Sequence, residues 1–299
     1  MLLRDANFLV TGSGGLLGRR VVSVMQNAGV EQARLFCHYH QLDPRDLSPR
    51  TIVGDLGDLD HIKEFTERIS PDIVINCAAM ADVDLCQREP QLSVQTNVRA
   101  VELLLQSFPR AVFVQVSTDY VFPDSPVPPK PDVPPAPMNT YGEHKLEAEK
   151  AVLGASASNL VIRTNTMFDG GDKRSFFRFV YEALRKGEAV PCLTDQFSNP
   201  LSAESAAGLI CDLIERNARG IYHIGGGDHV SRYELAERIS HCFSLPQELI
   251  RPIVSADIPR PAPRPLRAGL DCRETEKFLQ RPLPQLDEDL TRLRAEMEY

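Results

Sequence analysis

The 299-residue chain has no Cys-x-x-Cys pair, no long apolar run, no excess of basic charge and no internal repeat. Each absence removes a class of protein. Seven cysteines (Cys37, Cys77, Cys86, Cys192, Cys211, Cys242, Cys272) are an odd number without paired spacing, which argues against a disulfide framework and a zinc site; no metal is expected. No segment approaches the ~20 apolar residues needed to span a bilayer, and Met1-Leu-Leu-Arg-Asp5 carries charge before any apolar run develops, so a cytoplasmic protein is expected. A formal net charge of −8 disfavours nucleic acid as a partner, because neutralising a phosphate backbone takes a basic surface. What survives is a protein of ordinary apolar content, long enough for one large domain or two unequal ones, that handles a small molecule.

In the first half, short apolar runs alternate with helical patterns, the sequence form of a parallel sheet with helical crossovers. The runs predict strands near Asn7–Thr11, Arg34–Cys37, Thr51–Val53, Asp72–Asn76, Ala111–Ser117 and Asn159–Thr164. Helices are predicted over Gly15–Asn27, Leu59–Ile69 behind Asp58, Gln91–Phe108 behind Pro90, and from Tyr141 to about Leu153. The fold class is α/β, a doubly wound Rossmann sheet over 1–164, followed by a smaller mixed α/β lobe over 165–299 with a crossing back to the sheet. In that lobe helices are expected at Phe176–Arg185, Glu204–Arg216, Ser231–Phe243 and Asp287–Glu298, with strands at Val190–Leu193 and Ile221–Ile224. Two proline-rich stretches, Pro123–Pro137 and Arg251–Arg267, exclude regular helix. The first is a surface loop or a flap leading into Tyr141; the arginines of the second meet a substrate diphosphate or are a solvated linker.

Gly12, Gly15 and Gly18 fall three apart, after a strand and opening a helix. In that context glycine lets the backbone turn tightly and approach a pyrophosphate, which meets free N–H groups at the helix N-terminus. Gly12, Ser13, Gly15, Leu16, Leu17 and Gly18 are therefore candidate cofactor contacts. The second strand normally ends beside the adenosine ribose, where an acid suits a free 2′-hydroxyl and a cation suits a 2′-phosphate. Here it reads Phe36-Cys-His-Tyr-His-Gln41, with no carboxylate before Asp43. His38, Tyr39 and His40, with Arg19 and Arg20 nearby, favour NADP(H), with NAD(H) as the alternative. Asp55 and Leu56 stand where the adenine amino group would be held, and Ala78, Ala79 and Met80 are small or unbranched residues where a cofactor could pass.

Tyr141-Gly-Glu-His-Lys145 sets a phenol and an ammonium four residues apart on one helix face. A nearby Lys cation favours phenolate and would lower the tyrosine pKa from its ordinary value near 10, making an exchangeable proton. Upstream, Val112–Phe122 carries an apolar run into the hydroxyls of Ser117 and Thr118.

These parts together resemble the extended short-chain dehydrogenase/reductases, most closely the dTDP-4-dehydrorhamnose reductase branch. The carriers are Thr11-Gly-Ser-Gly-Gly-Leu-Leu-Gly18, Asn76-Cys-Ala-Ala-Met-Ala-Asp-Val-Asp84, Asn97, Ser117-Thr-Asp-Tyr-Val-Phe122, Tyr141 to Lys145, Ile162-Arg-Thr164, Asp195-Gln196 and Arg264-Pro-Leu-Arg-Ala-Gly-Leu-Asp271. The resemblance implies Tyr141 as the acid, Lys145 holding the nicotinamide ribose and tuning Tyr141, and Thr118 bonding the reacting oxygen. It also implies a structural role for Asn97 and substrate contacts at Asp82, Thr118, Asp119, Tyr120, Thr166, Phe168 and Gln196. The implied reaction is reduction of a nucleotide-linked 4-keto-6-deoxysugar, in a possible homodimer. Dehydratases of the wider family follow the corresponding threonine with Asp-Glu, whereas this chain has Asp119-Tyr120. Two departures bear on the substrate pocket: Asn165-Thr-Met-Phe-Asp-Gly170 replaces the branch's serine, aromatic and Tyr-Gly, and tryptophan is absent. The same branch contains the methionine adenosyltransferase regulatory subunit, similar in Gly-Leu-Leu-Gly-Arg19, Cys77-Ala-Ala79 and Asp119-Tyr-Val-Phe122, which gives a non-enzymatic alternative.

Overall fold

Phe8 to Thr11 are all buried, the pattern of a strand covered on both faces. A computed structural model describes residues 3–41, 50–171 and 175–298. Its strands are β1 (Phe8–Thr11), β2 (Leu35–Tyr39), β3 (Thr51–Val53), β4 (Ile73–Asn76), β5 (Val112–Thr118), β6 (Leu160–Thr164), β7 (Met167–Phe168), β8 (Val190–Leu193), β9 (Phe197–Ser198), β10 (Leu201–Ser202), β11 (Gly220–His223), β12 (Val230–Ser231) and β13 (Ile250–Ile253). Seven form one parallel sheet in the order β11-β6-β5-β4-β1-β2-β3. The order reverses beside β1, and in open α/β sheets that switch point is where a ligand crevice forms.

The helices are α1 (Leu16–Asn27), α2 (Leu59–Thr66), α3 (Val83–Arg88), α4 (Pro90–Val94), α5 (Ala100–Ser107), α6 (Thr140–Ala155), α7 (Phe176–Arg185), α8 (Ala203–Glu215), α9 (Arg232–Cys242), α10 (Arg273–Leu279) and α11 (Leu286–Glu298). Strand alternation divides the core. Phe8 and Val10 pack with α1 and α8 on one face, while Leu9, Val74, Phe113 and Val161 pack with α2, α5 and α6 on the other. A further apolar cluster joins α7, α9, α11 and β8 around Phe168 and Phe177. The predicted strand at Ile221–Ile224, assigned to the smaller lobe, is the edge strand β11 of the main sheet, paired with β6.

The single helix predicted over Gln91–Phe108 is instead α4 and α5 separated by a π-helical turn at Gln95–Arg99. Asn97 lies in that turn, buried, accepting a 3.0 Å bond from the Met80 N–H and donating a 3.1 Å bond to the Met80 carbonyl. The widened turn is the local distortion that aims Asn97 at the Ala78–Met80 segment. Asp43 lies outside the described residues.

Candidate active site

α6 starts behind Asn139, whose side chain accepts a 2.9 Å bond from the Gly142 N–H. A Cβ on Gly142 would stand 2.2 Å from the Tyr120 carbonyl oxygen, so only glycine lets this first turn seat against the end of β5. That contact brings Tyr141 to Thr118, so that the Thr118 hydroxyl faces the phenol. Thr118 Oγ1 also donates to Asp119 Oδ1 at 3.2 Å and accepts from the Tyr120 N–H at 3.2 Å. The Tyr120 ring meets that of Tyr141 edge-on, with centroids 6.3 Å apart.

Desolvation, then the facing Asp119 carboxyl, push the Tyr141 phenol above its ordinary value, and the Thr118 hydroxyl offsets only part of this. The expectation that Lys145 would lower it is overturned. Lys145 is itself buried and donates a 2.6 Å bond to the Val116 carbonyl, and burial brings its ammonium down to about 8 against the opposing pull of Glu149. Tyr141 is thus a protonated phenol at ordinary pH, the form a proton donor needs. Asp119 is also buried and its carboxyl is raised to about 6 by desolvation; its Oδ2 accepts from the Gly269 N–H at 3.1 Å. It stands behind Thr118, tying β5 to the late Gly269 segment.

The glycine turn has the form the spacing implied. A Cβ on Gly18 would come within 2.2 Å of the Gly12 carbonyl oxygen, so the closeness of turn and helix depends on its absence. Ser13 ties the turn to β2, its N–H donating to the His38 carbonyl at 2.8 Å. Gly15, the residue before α1, supplies no side-chain cap, which leaves the first N–H groups of Leu16 and its neighbours for an anion. Leu17 and Leu56 are buried in the core, so only their backbones are available to a ligand. These features fit a dinucleotide pyrophosphate.

The adenosine end differs from expectation at three residues. His38 is 1% exposed, packs on Phe65 with centroids 5.6 Å apart and lies 5.8 Å from the His61 ring, and neither ring nitrogen has a hydrogen-bond partner. Strand alternation explains this: with Phe36 it shares the face covered by α2. Desolvation brings its pKa down to about 4. Arg19 and Arg20 are committed elsewhere, both gripping the Asp169 carboxylate. Tyr39, on the opposite face, lies against Gly14, and His40 stands exposed with Nδ1 3.7 Å from Asp55 Oδ1. Asp55 also accepts from the Gly57 N–H at 2.8 Å. The Ala78 N–H approaches Thr11 Oγ1 at 3.4 Å, and Ala79 and Met80 continue that passage.

A cleft of about 920 Å³ opens from Leu16 across Asp82, Tyr120, Thr166 and Gln196 to Phe176, Phe179, Arg232, Arg260 and Arg264. Asp82 also caps α3, accepting from the Leu85 N–H at 2.9 Å. Phe168, expected at the substrate, is instead in the apolar cluster at 1% exposed, stacked on Phe177. Of the proline-rich arginines, Arg264 makes a paired contact with Asp84 at 2.9 and 3.0 Å and holds that carboxyl below its ordinary value. Arg232 was not anticipated. It lies 5.0 Å over the Phe176 ring, burial lowers its pKa, and among the described residues it makes no ion pair. Its sequence signal is slight: it opens α9 behind the Ser231 and Glu234 capping box, a pattern that marks a helix start and says nothing about a cleft.

Residues 6–299 match the RmlD substrate binding domain. The chain is 32% identical over 293 residues, 96% of each chain, to a probable low-salt glycan biosynthesis reductase of Haloferax volcanii. It is 31% identical to the methionine adenosyltransferase 2 subunit beta of Xenopus laevis, over 90% of this chain and 81% of that one. Among solved structures, a hypothetical dTDP-4-dehydrorhamnose reductase from Sulfolobus tokodaii superposes with a TM-score of 0.82 at 30% identity, over 95% of this chain and 98% of that one. By sequence, fold and the disposition of Thr118, Tyr141 and Lys145, the chain belongs to the RmlD substrate-binding-domain family of extended short-chain dehydrogenase/reductases.

Proposed function

We propose that the protein is an NADP(H)-dependent reductase of a nucleotide-linked 4-keto-6-deoxysugar, with Thr118, Tyr141 and Lys145 as its catalytic residues. The observation that carries this reading is the Thr118 hydroxyl facing the protonated Tyr141 phenol beside a cleft with Arg232, Arg260 and Arg264 on its wall. A reduced nicotinamide, when bound, supplies the hydride. Thr118 holds the carbonyl oxygen, and Tyr141, kept protonated by its burial, delivers the proton to that oxygen as charge develops on it. Lys145 would hold the nicotinamide ribose, and the glycine turn from Gly12 to Gly18 the pyrophosphate. Arg232, stacked on Phe176 and free of a carboxylate, is suited to a substrate diphosphate, while Asp82, Tyr120, Thr166 and Gln196 line the path to the sugar. Asp119 acts from behind Thr118. The preference for NADP(H) rests on the end of β2 at Tyr39-His40-Gln41, which carries no carboxylate of its own, since His38, Arg19 and Arg20 are turned away or engaged. No described helix is long and apolar enough to cross a membrane; with an acidic charge and unpaired thiols, a cytosolic homodimer without a nucleic-acid partner fits this reading.

The test is oxidation of NADPH against a panel of nucleotide-linked 4-keto sugars, with Tyr141→Phe in parallel. Turnover that falls with the variant supports the assignment; undiminished turnover in the variant removes Tyr141 from the mechanism. The 31% identity to a methionine adenosyltransferase beta subunit sustains one further reading, a cofactor-binding regulatory subunit. Tight NADPH binding, no turnover across the panel and a stoichiometric protein partner would favour it.

A further inference from the structure

Asp169 sits where the chain departs from the reductase pattern, in the segment Asn165 to Gly170, and it is 2% exposed. Its carboxylate receives the guanidinium of Arg19, the Nε of Arg20 at 2.5 Å and the Gly171 N–H at 2.6 Å. Arg20 reaches on to Glu204 at 3.3 Å and Glu296 at 2.6 Å. On its other side, the Asp169 carbonyl accepts a 3.1 Å bond from Ser175 Oγ, and Ser175 Oγ in turn accepts from the Arg178 N–H at 3.3 Å, capping α7. Ser175 and Phe176 are on the cleft wall, as is Leu16 at the start of α1. One buried residue thus joins the first turns of the helix that faces the cofactor pyrophosphate to the first turn of the helix that walls the substrate cleft.

We propose that Asp169 is a positioning residue that couples cofactor binding to substrate binding. This inference rests on the reductase reading above. An anion seated on the N-terminus of α1 fixes that helix and, through Arg19 and Arg20, fixes Asp169; Asp169 then holds Ser175 and the first turn of α7 against the nucleotide end of the substrate. The linkage runs equally in reverse, because a coupling between two binding equilibria is reciprocal.

The test is fluorescence titration of NADPH with and without saturating dTDP, and of dTDP with and without saturating NADPH. In the unaltered protein each ligand is expected to tighten the other by about 10-fold and by the same factor. In Asp169→Asn the factor should fall to within about 2-fold of unity while NADPH alone binds as before, a split that a loss of general stability would not produce. Glu204→Gln and Glu296→Gln, which remove only the outer arms on Arg20, should keep the coupling. If Asp169→Asn does not fold, Arg19→Gln reads the same link from the helix side, with Arg19→Lys expected to retain it in part. Binding of both ligands with no mutual effect, or coupling that survives Asp169→Asn and Arg19→Gln, would overturn the inference and leave the reductase reading standing. Binding of neither ligand would overturn the reductase reading and this inference with it.

Discussion

At Tyr141, desolvation and the neighbouring Asp119 carboxyl keep the phenol protonated, and Lys145 takes no part in that. The Thr118 hydroxyl and the Asp119 carboxyl face the phenol, whereas Lys145 is turned to the Val116 carbonyl. Because the phenol is held protonated, Tyr141→Phe is expected to cut turnover at least ~100-fold while leaving NADPH affinity nearly unchanged, which steady-state rates and fluorescence titration together would establish. Thr118→Val keeps the shape and removes the hydrogen bond; a loss of about 100-fold in kcat is expected, and a wild-type rate would mean that another group holds the carbonyl. Arg232→Gln should act differently, raising the substrate KM by about 10- to 100-fold with kcat little changed, because a diphosphate contact remote from the reacting carbon serves ground state and transition state alike. A matching fall in kcat would place Arg232 nearer the chemistry than the cleft suggests.

Elements, rather than residues, carry the ion pair beneath the site. Glu149 on α6 takes Arg163 of β6 at 2.7 Å and Ser117 of β5 at 2.5 Å, with both charged side chains 2% exposed. Glu149→Gln leaves a buried guanidinium short of its counter-charge, and a destabilisation of about 3–5 kcal/mol in urea unfolding is expected. The six strands from β1 to β6 and the helices α1, α6 and α7 were legible in the sequence because each has its own pattern: apolar runs bounded by turns, a cap, or an amphipathic face. The two-residue strands β7, β9, β10 and β12 were not, since they exist only through partners far along the chain. The π-turn at Asn97 was likewise set by its contact with Met80, and the six-residue helix α3 is too short to show a period. At the site, the glycine turn, Thr118, Tyr141 and Lys145 could be named from spacing, but the direction of His38 needed the face assignment of β2, and Arg19, Arg20, Asp169 and Arg232 needed a partner 150 residues away or a cleft. The end of β2 also carries a test of cofactor choice: NADPH is expected to bind more tightly than NADH by titration, and the reverse order would refute the reading of Tyr39-His40-Gln41.

For the whole molecule, three buried groups set the response to acid. His38 titrates at about 4 and His223 at about 3, both below the ordinary 6.5, because desolvation opposes the cation and Arg163 adds to this at His223. Asp119 titrates at about 6, above the ordinary 3.8, because desolvation opposes the anion. Between about pH 4 and pH 6 the unfolded chain therefore protonates both histidines while the folded protein leaves them neutral, which makes stability fall as pH falls. Asp119 acts in the opposite sense, since over the same window it is protonated in the folded protein and ionised in the unfolded chain. The three leave the unfolded state holding about one more proton, so their own contribution is a drop in stability of about 1.4 kcal/mol per pH unit, or roughly 3 kcal/mol across the window. Urea midpoints measured from pH 7 to pH 4 would show this slope. His38→Phe, filling the space beside Phe65, should flatten it, because His223 and Asp119 then nearly cancel; Asp119→Asn should steepen it to about two protons' worth. A slope unchanged by both substitutions would mean that acid sensitivity arises at other groups, and that His38 and Asp119 titrate alike in the folded and unfolded chain.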